Sequence, residues 1–319
     1  SGKFHPLATD RPCLSGKKKM TDPVVITHSD IASYLRCRRA WAWGFVQDVK
    51  KPERPVGAAA LGTRVHSGLE AYYKSGDDPV EEHDRLAKAA ITYLETTDAP
   101  GWEIDQLYTE MIIGRNCIIS HQDWLAASGA DAEFEVVDVE QKLEAPILGG
   151  RVILRGRVDI RFRSMNDNMI YTNDWKTSSA QGSVREGFER SYQSPIYIAL
   201  TALQPDAEPV GGAYYTVIRK TKNLARATRP LVERFRVPAT RRTAEAKMKQ
   251  IEAICEDMLV TAARVEAGDL ACAYPSPMDS CRWCSYKQPC ELMDESPEAA
   301  NAHIASVFQQ GGKHERYER

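Results

Sequence analysis

Two aspartates and one lysine are the residues of this sequence best placed to do chemistry together. Asp159 ends the stretch "GRVD", and Asp174 and Lys176 flank a tryptophan in "DWK". Both stretches are typical of β-strands, and the turn-like "NDNM" (166–169) between them predicts that the strands run antiparallel. Because side chains at i and i+2 of a strand share a face, the two carboxylates and the ammonium can meet at one point.

Two carboxylates beside an ammonium suit the hydrolysis of a phosphate ester. The carboxylates can bind Mg²⁺ or Mn²⁺, which are hard ions that prefer oxygen ligands. The bound ion polarises a phosphate and lowers the pKa of a bound water, while the lysine can orient that water or stabilise charge on the phosphate. The alternative is a surface strand with an ordinary salt bridge, since an Asp-x-Lys sequence on its own is common.

Polar residues in two predicted helices could add to such a site. "LGTRVHSGLE" places His66 on a helix, and "QSPIY" places Gln193 and Tyr197 at i and i+4 on one helical face. A histidine in a helix is more often a satisfied core residue, and a Gln/Tyr pair is usually a packing contact. These three residues are therefore candidate site residues only because the two aspartates already indicate a site.

Three cysteines stand within ten residues near the C-terminus, in "CRWCSYKQPC". They are Cys281, Cys284 and Cys290. In a chain without an export signal, closely spaced cysteines indicate metal ligands or a redox centre before disulfides. A site made of thiolates usually has four ligands, so a fourth has to come from elsewhere in the chain.

In their order along the chain, these pieces resemble the RecB-type nucleases of the PD-(D/E)XK superfamily. The motifs are Gly-x-x-x-His (62–66), Gly-x-x-Asp (156–159), Asp-Trp-Lys (174–176) and Gln-x-x-x-Tyr (193–197). The resemblance runs from about residue 27 to about residue 293. Each motif is weak alone, but their order together with the cysteines is specific.

The resemblance assigns roles to individual residues. The implied ligands of Mg²⁺ or Mn²⁺ are His66, Asp159, Asp174 and the carbonyl oxygen of Trp175. The implied catalytic residues are Lys176 and the two aspartates, and Gln193 and Tyr197 are implied to position the site or the DNA. Some members of the family carry a further acid, for which Glu140 is the candidate and Glu135 and Glu144 are competitors.

The resemblance also supplies a fourth cysteine. RecB-type nucleases of the Cas-four and AddB-like branches hold an iron–sulfur cluster with one cysteine far upstream and three near the C-terminus. This pattern makes Cys37 of "YLRCRRAW" the partner of Cys281, Cys284 and Cys290. Four thiolates suit a structural [4Fe–4S] cluster, and tetrahedral Zn²⁺ stays the alternative. Cys117 and Cys255 fall in helical patterns and are predicted to be small core residues.

Contact with DNA is predicted at two basic segments. "RKTKNLARATR" (219–229) has five basic residues and no acid, and "RCRR" (36–39) surrounds Cys37. A solvated surface is the usual reason for such charge runs, but beside a nuclease site they favour contact with backbone phosphates. The candidate residues are Arg36, Arg38, Arg39, Arg219, Lys220 and Lys222. The aromatic residues of "AWAWGF" (40–45) could stack on bases or pack in the core.

Composition argues against several classes of protein. The 319 residues have a net charge of −2, with 43% hydrophobic and 27% charged residues, as in an ordinary globular protein. Local basic segments, rather than overall charge, would therefore have to bind a nucleic acid. Without an apolar run of membrane-spanning length or the apolar core of a signal peptide, a cytoplasmic protein with no membrane contact is expected. A "GxxxxGK[ST]" loop is missing, which argues against a helicase motor.

The elements that must position these residues change in character along the chain. Helical periodicity dominates up to residue 128, starting at Thr27 or Ser29 as the N-cap, with loops expected at 48–57 and 98–103. The predicted helices there are 58–76, 78–97 and 106–128. Strands are predicted over 133–147, 150–164, 170–177, 211–220 and 231–239. Further helices are predicted over 185–203, with a kink at Pro195, and over 241–268.

This order of elements predicts an α+β fold. The resemblance makes it restriction-endonuclease-like, a mixed β-sheet core flanked by helices, with the N- and C-terminal segments joined at the iron–sulfur cluster. A single nuclease domain is expected over 23–294, made of a helical part (27–127), a nuclease core (133–240) and a helix with the cysteines (241–294). Residues 1–22 are expected to be flexible or vector-derived, with a natural start at Met20, and 295–319 to be a flexible polar tail.

The function predicted is that of a metal-dependent DNA nuclease, and more specifically of an exonuclease acting on single-stranded DNA or DNA ends. One alternative is a subunit of a CRISPR adaptation or recombination and repair complex, directed by partner proteins or by further copies of itself. Another alternative is a non-catalytic DNA-binding module that carries the cluster. The intact set of Asp159, Asp174 and Lys176 argues against this last hypothesis.

Overall fold

A computed structural model describes residues 23–180, 185–187, 191–205, 207–237, 241–276 and 279–311. The predicted N-terminal segment 1–22, which includes Cys13 and Met20, lies outside these ranges. No helix in them has both the length and the apolar character that crossing a bilayer requires.

A mixed sheet forms the centre of the molecule. Its strands are β1 (Val24–Thr27), β3 (Phe134–Ile147), β4 (Val152–Ser164), β5 (Ile170–Ser178), β6 (Val210–Arg219) and β7 (Val232–Val237). The order is β1-β4-β5-β6-β7, and β3 pairs with β4 as well. The pairs β1/β4 and β5/β6 are parallel, whereas β3/β4, β4/β5 and β6/β7 are antiparallel. The predicted α+β class with a mixed sheet flanked by helices is confirmed.

The long strand β4 has an interrupted edge. One edge pairs with β3 along most of its length. The other edge is shared, since residues 152–155 pair with β1 and residues 160–163 pair with β5. Residues 156–159, the "GRVD" motif, lie between these two pairings. Polar side chains can therefore reach the split between β1 and β5 without displacing a ladder hydrogen bond.

Helices surround the sheet. They are α1 (His28–Arg36), α2 (Arg38–Trp41), α3 (Ala58–Ser75), α4 (Pro79–Thr96), α5 (Gly101–Ser128), α6 (Gln193–Ala202), α7 (Arg241–Glu266), α8 (Lys287–Met293) and α9 (Pro297–Val307). A π-helical turn, Ala42–Val46, follows α2. Thr27 begins α1 as predicted, because its hydroxyl accepts from the Asp30 N–H at 3.3 Å and the Asp30 carboxylate accepts from the Thr27 N–H at 2.9 Å.

Apolar packing joins these elements in two main clusters. One cluster joins α1, α6 and α7 to β1, β3 and β4, with Trp41 and Leu154 among its buried members. The other joins α3 and α5 to β4 and β5, with Phe162 and Trp175 among its members. Cys117 and Cys255 are fully buried in these clusters, which confirms that they are core residues.

Helix α3 is fixed by a buried ion pair. The Arg64 guanidinium lies 2.7 Å from the Glu110 carboxylate of α5, and both side chains are less than a tenth exposed. Glu110 also accepts from the backbone N–H of Gly57 at 2.7 Å, just before α3 begins. Buried charges of this kind are stable only when paired and hydrogen-bonded, and here they hold the start of α3 against α5.

Several predicted boundaries need correction. Strand β1 was not predicted, and α5 begins at Gly101, inside the expected loop 98–103. Of the predicted helix 185–203, residues 185–187 and Gln193–Ala202 are helical, while residues 188–190 lie outside the described ranges. Pro195 does not kink it, because a proline in the first turn removes no helical hydrogen bond.

The prediction of a flexible tail at 295–319 is wrong for the part that the structure describes. Helix α9 occupies Pro297–Val307, and strand β8 (Gln309–Gln310) pairs antiparallel with β2 (Val49–Lys50). The reason lies in Phe308, which is 9% exposed and stacks on Tyr286 with ring centroids 5.2 Å apart. A single buried aromatic ring and two backbone pairs thus dock a segment that is otherwise polar.

Candidate active site

Three carboxylates lie side by side across three strands. In the register of β3 with β4, the pairs Val139↔Ile160 and Gln141↔Val158 place Glu140 opposite Asp159. One step beyond the pair Ile160↔Asn173, Asp159 lies opposite Asp174 of β5. The sheet thus brings Glu140, Asp159 and Asp174 into one row.

Asp159 is held at the centre of this row by a hydrogen bond and by a histidine. The backbone N–H of Trp175 donates to Asp159 Oδ2 at 2.7 Å. His66 of α3 places its Nδ1 3.4 Å from the same oxygen. Ligand atoms of His66, Glu140 and Asp159 lie within 4.8 Å of one another, which is close enough to share one metal ion.

Asp174 is held by residues of α6 and β5. Gln193 Nε2 donates to Asp174 Oδ1 at 2.7 Å and to Tyr197 Oη at 3.1 Å. The Lys176 ammonium forms an ion pair with Asp174 Oδ2. Gln193 and Tyr197 share one face of α6, as their spacing predicts, so this helix and β5 together orient the carboxylate.

The protonation of the three acids differs because their surroundings differ. Burial and the charge of Asp159 raise the pKa of Glu140 to about 7, although Arg157 opposes the shift. Burial, only partly offset by Lys176, raises the pKa of Asp174 to about 6. Burial would raise the pKa of Asp159 as well, but the nearby His66 and Lys176 hold it below its ordinary value. Neighbouring carboxyl groups with different pKa values are typical of a site that binds a cation.

A glycine lets α6 approach the row of acids. A Cβ atom on Gly156 would lie 2.8 Å from Leu200 Cδ1 and 2.9 Å from Tyr197 Cε1. Only a residue without a side chain therefore allows Tyr197 and Gln193 to reach Asp174. Gly62 differs, because a Cβ there would meet only Thr177 Oγ1 at 3.8 Å, an ordinary contact.

The candidate residues line one cavity of about 480 Å³, here called the acidic cavity. Its lining includes His66, Asp159, Asp174, Lys176, Gln193 and Tyr197, all named from the sequence. Trp175 is fully buried instead, with its ring stacked on Tyr73 at 5.4 Å. The role of its carbonyl oxygen as a metal ligand stays a prediction.

Of the three competing glutamates, Glu140 reaches the acidic cavity. Glu144 pairs with Arg155 at 2.6 Å, and Glu135 lies 3.7 Å from Arg163. Glu140 stands at φ +53, an unusual backbone conformation for a residue other than glycine, opposite Asp159. The chain thus turns this side chain into the site at a local irregularity of β3.

The four predicted cluster cysteines surround a second, smaller cavity. Cys37, Cys281, Cys284 and Cys290 all line a space of about 170 Å³, here called the cysteine cavity. Cys37 lies in the break between α1 and α2, and the other three precede or lie in α8. All four are free thiols. This donor set fits a thiolate-bound cluster or ion.

The basic residues predicted to bind DNA have mixed surroundings. Arg38 pairs with Asp257 at 2.5 Å, and Arg39 pairs with Asp294 at 3.0 Å and contacts Cys290 Sγ at 3.5 Å. Arg219 donates to the carbonyl of Ser179 at 3.1 Å. Arg36 and Lys222 are exposed and Lys220 is half-buried. The contact of Arg39 with Cys290 ties one basic segment to the cysteine cavity.

Sequence reasoning missed two residues at the site. Arg157 lies two positions before Asp159 on β4 and pairs with Glu140 at 3.0 Å, so the strand alternation could have found it. His28 follows the N-cap of α1, and no sequence pattern marks it. Burial, and then the charge of Lys176, lower the pKa of His28 to about 4, so its imidazole is neutral at neutral pH.

A row of acids with an adjacent lysine, at the split of a mixed sheet, suits the binding of a divalent metal ion and the hydrolysis of a phosphodiester. Residues 25–291 match the model of the PD-(D/E)XK nuclease superfamily. The chain therefore belongs to the PD-(D/E)XK nuclease superfamily. Proteins of this superfamily are nucleases that use divalent metal ions, and nucleic acid is the substrate that the class implies.

Comparison with individual proteins adds two distant likenesses. The crystal structure of SSO0001 is 14% identical and covers 82% of this chain and 84% of its own, with a TM-score of 0.34. That of an exonuclease candidate from Eubacterium rectale is 12% identical and covers 86% of this chain and 93% of its own, with a TM-score of 0.43. No curated protein matches significantly. The superfamily assignment therefore depends on the family match.

Proposed function

We propose that this protein is a Mg²⁺- or Mn²⁺-dependent deoxyribonuclease that acts as an exonuclease on single-stranded DNA or DNA ends. The observation that carries the proposal is the row of Glu140, Asp159 and Asp174, with His66 beside Asp159 and Lys176 beside Asp174. The metal ligands are His66, Asp159, Asp174 and the Trp175 carbonyl oxygen, joined by Glu140. When bound, the ion supplies Lewis acidity toward the phosphate and a more acidic water.

The protein's own groups divide the remaining tasks. Lys176, whose ammonium neighbours Asp174, orients the attacking water and stabilises charge on the phosphate. Gln193 fixes Asp174, and the N–H of Trp175 fixes Asp159, so both carboxylates keep their orientation. Tyr197 stays protonated, because burial and the charge of Asp174 raise its pKa well above the ordinary value, and it can only position its neighbours.

The direct test is cleavage of end-labelled single- and double-stranded DNA with Mg²⁺ or Mn²⁺. Asp174→Ala and Lys176→Ala should each reduce cleavage by about a hundredfold or more, the scale seen when preorganised charge is removed. Calorimetry should show that Asp174→Ala loses Mn²⁺ affinity while Lys176→Ala retains it, since lysine is not a ligand. Wild-type cleavage rates in both variants would place the active site elsewhere.

We also propose that the cysteine cavity holds a structural [4Fe–4S] cluster. Support comes from the four cysteines that share one small cavity although Cys37 and Cys290 lie far apart in the chain. Anaerobically purified protein should be brown and absorb broadly near about 400 nm, as thiolate-ligated iron–sulfur centres do. Colourless protein with one zinc per chain would favour the Zn²⁺ alternative instead.

The place of the nuclease in a larger assembly stays a prediction. Partner proteins of recombination or CRISPR adaptation, or further copies of the chain, would direct its action in the cytoplasm. Light scattering of the purified protein measures its oligomeric state, and affinity purification from the native cell identifies any stable partner. A monomer without partners would indicate a nuclease that acts alone.

A further inference from the structure

Arg157 is a positive charge at the acidic cavity that the mechanism described above does not use. It lies on β4 two residues before Asp159, so the two side chains share one face of the strand. Its Nε lies 3.0 Å from Oε2 of Glu140, which is one of the proposed metal ligands. The guanidinium and the metal ion would therefore compete for the same carboxylate.

The two partners of this ion pair differ in exposure. The Glu140 side chain is 11% exposed, whereas the Arg157 side chain is 49% exposed. Arg157 also lines a neighbouring cavity of about 540 Å³, so it faces open space as well as Glu140. Ion pairs that reach the solvent contribute little to stability. Arg157 can therefore exchange this partner for another at low cost.

Most of the hydrogen-bonding capacity of Arg157 is unused. Among the residues that the structure describes, its Nε donates to the carbonyl oxygen of Glu140 at 3.5 Å, and its two terminal nitrogens donate no hydrogen bond. A guanidinium has five N–H donors in a planar fork, which matches two oxygens of a phosphate. Arg155 on the same strand differs, because its Nε donates to Glu144 Oε1 at 2.6 Å.

Metal binding would leave Arg157 beside a like charge. The ligand atoms of His66, Glu140 and Asp159 lie within 4.8 Å of one another, and Arg157 contacts one of these three residues. Glu140 cannot fully neutralise the guanidinium once it is also a ligand of a divalent cation. A phosphate supplies the negative charge that Arg157 then lacks, and the substrate phosphate has to reach this place to be cut.

We propose that Arg157 changes its partner during the reaction, from Glu140 in the metal-free protein to the phosphate that is cut. Before the metal binds, the guanidinium neutralises Glu140 and holds its carboxylate. When Glu140 becomes a metal ligand, Arg157 donates its terminal N–H groups to the phosphate and holds it beside the acids. The inference rests on the proposed nuclease function and adds a phosphate-binding residue to it.

The first experiment measures Mn²⁺ affinity by calorimetry without any nucleic acid. Arg157→Gln removes the charge that competes for Glu140, so Mn²⁺ should bind about threefold more tightly. If Arg157 only holds Glu140 in place, the same variant should bind Mn²⁺ more weakly, because one ligand would lose its orientation. Unchanged or weaker Mn²⁺ affinity would therefore overturn the proposal.

The second experiment tests the contact with the phosphate. It uses the Lys176→Ala protein, which should bind Mn²⁺ but not cleave, and single-stranded oligonucleotides with one uncharged methylphosphonate at successive positions. Fluorescence anisotropy gives Kd for each oligonucleotide in the presence of Mn²⁺. A methylphosphonate at the cut position should raise Kd by about tenfold or more, since a hydrogen bond between charged groups is lost. Adding Arg157→Gln should make this penalty about fivefold smaller, because the partner of the phosphate is then missing.

Arg155→Gln is the matched control. Arg155 lies two residues before Arg157 on the same face of β4, but it pairs with Glu144 and does not line the acidic cavity. Arg155→Gln should therefore change neither the Mn²⁺ affinity nor the methylphosphonate penalty. A penalty of full size in the protein with Arg157→Gln would contradict the proposal.

The same measurements separate this inference from the proposed function. If the wild-type protein cuts no nucleic acid, the nuclease proposal fails, and the methylphosphonate series is then measured with the wild-type protein and Arg157→Gln. A position whose penalty shrinks in Arg157→Gln would still support a phosphate contact at Arg157, and the lack of such a position would overturn it. If cleavage is normal and Arg157→Gln leaves every penalty unchanged, the change of partner is wrong while the nuclease stands.

Discussion

The acidic cavity and the cysteine cavity are built in opposite ways. The residues of the acidic cavity come from adjacent strands and two packed helices, and Asp159 and Asp174 are 7% and 4% exposed. The cysteines of the other cavity come from the break between α1 and α2, from the short turns before α8 and from α8 itself, and Cys281 is exposed. Trp283, between two of these cysteines, is 84% exposed. The sheet carries the acids of one site, whereas a helix break, short turns and one short helix carry the cysteines of the other.

If both cavities bind metal as proposed, this difference predicts which of them is already folded without its metal. In the acidic cavity, Trp175 and Gln193 already orient the two aspartates by hydrogen bonds. In the cysteine cavity, the Arg39 contacts and a hydrogen bond of 2.5 Å from Tyr286 to the Val49 carbonyl join the C-terminal segment to the core. We therefore expect loss of the ligand to leave the acidic cavity folded and to loosen the region around the cysteines.

The largest effect is expected from Cys37→Ser. A cross-link between Cys37 and Cys290 closes a loop of about 250 residues, which by chain-entropy scaling is worth up to about 5 kcal/mol. The variant should lose its iron and unfold at a much lower denaturant concentration. Metal analysis and urea unfolding measure the two effects.

A matched control for Cys37→Ser is Cys255→Ala. Cys255 is fully buried in the main core and does not line the cysteine cavity, so its variant should keep the full metal content. If Cys37→Ser also keeps its iron, the fourth ligand is not Cys37. The cluster would then not join the two ends of the chain, and the proposed difference between the two cavities would be wrong.

A smaller effect is expected from Gly156→Ala. The new methyl group would collide with Leu200 and Tyr197, and overpacking of this kind costs typically about 1–3 kcal/mol. Since α6 also carries Gln193, its displacement should weaken the hydrogen bond to Asp174 and lower kcat. Thermal unfolding and cleavage rates test both. A variant with normal stability and rate would show that α6 is not held by this close approach.

Much of the fold follows from the sequence. The strict alternation in "GRVILRGRVDIRFRS" predicts β4, and the turn at 166–169 predicts its antiparallel pairing with β5. Strand β1 was missed because it is only four residues long and runs directly into α1. The docking of α9 and β8 was missed because it depends on the contact between Phe308 and Tyr286, which no local pattern contains.

Some of the site residues could likewise be predicted from local patterns, and others could not. Asp159, Asp174 and Lys176 follow from strand periodicity, and Gln193 and Tyr197 from helix periodicity. Glu140 was the candidate for the further acid, but no sequence pattern separates it from Glu135 and Glu144, because its position depends on a backbone irregularity with φ +53. A second cavity, of about 540 Å³, is lined by His28, Trp41 and Arg157 and depends on the long-range pairing of β1 with β4, which no local pattern contains.

Metal affinity in the acidic cavity should depend on pH. Burial raises the pKa of Glu140 to about 7, so below this pH the carboxyl group carries a proton that a metal ion must displace. The Glu140 proton alone should therefore make Mn²⁺ affinity rise by up to about tenfold per pH unit below pH 7, and the proton of His66, whose pKa Asp159 raises in spite of burial, should add to this rise. In the metal-free protein, stability should fall as pH rises from the unfolded value of 4.5 to about 7, because the folded state binds more protons there.

Calorimetry at several pH values measures this dependence, and Glu140→Gln is the control. The variant should bind Mn²⁺ more weakly, and its affinity should change less with pH, because only Asp174, with a pKa of about 6, and His66, whose pKa Asp159 raises in spite of burial, still lose a proton to the ion. Equal pH dependence in the wild type and the variant would show that Glu140 is not the group that the ion deprotonates.

The smallest effect, of opposite sign, is expected from Gly62→Ala. Gly62 belongs to a family motif as Gly156 does, but it lies inside α3, and a methyl group there would make only an ordinary contact with Thr177. A glycine within a helix costs about 0.5–1 kcal/mol relative to alanine, so the substitution should stabilise the protein by that amount. The thermal unfolding temperatures of Gly62→Ala and Gly156→Ala, measured together with the wild type, test this difference in stability. If Gly62→Ala is destabilised instead, the helix at His66 is packed more tightly against β5 than these distances indicate.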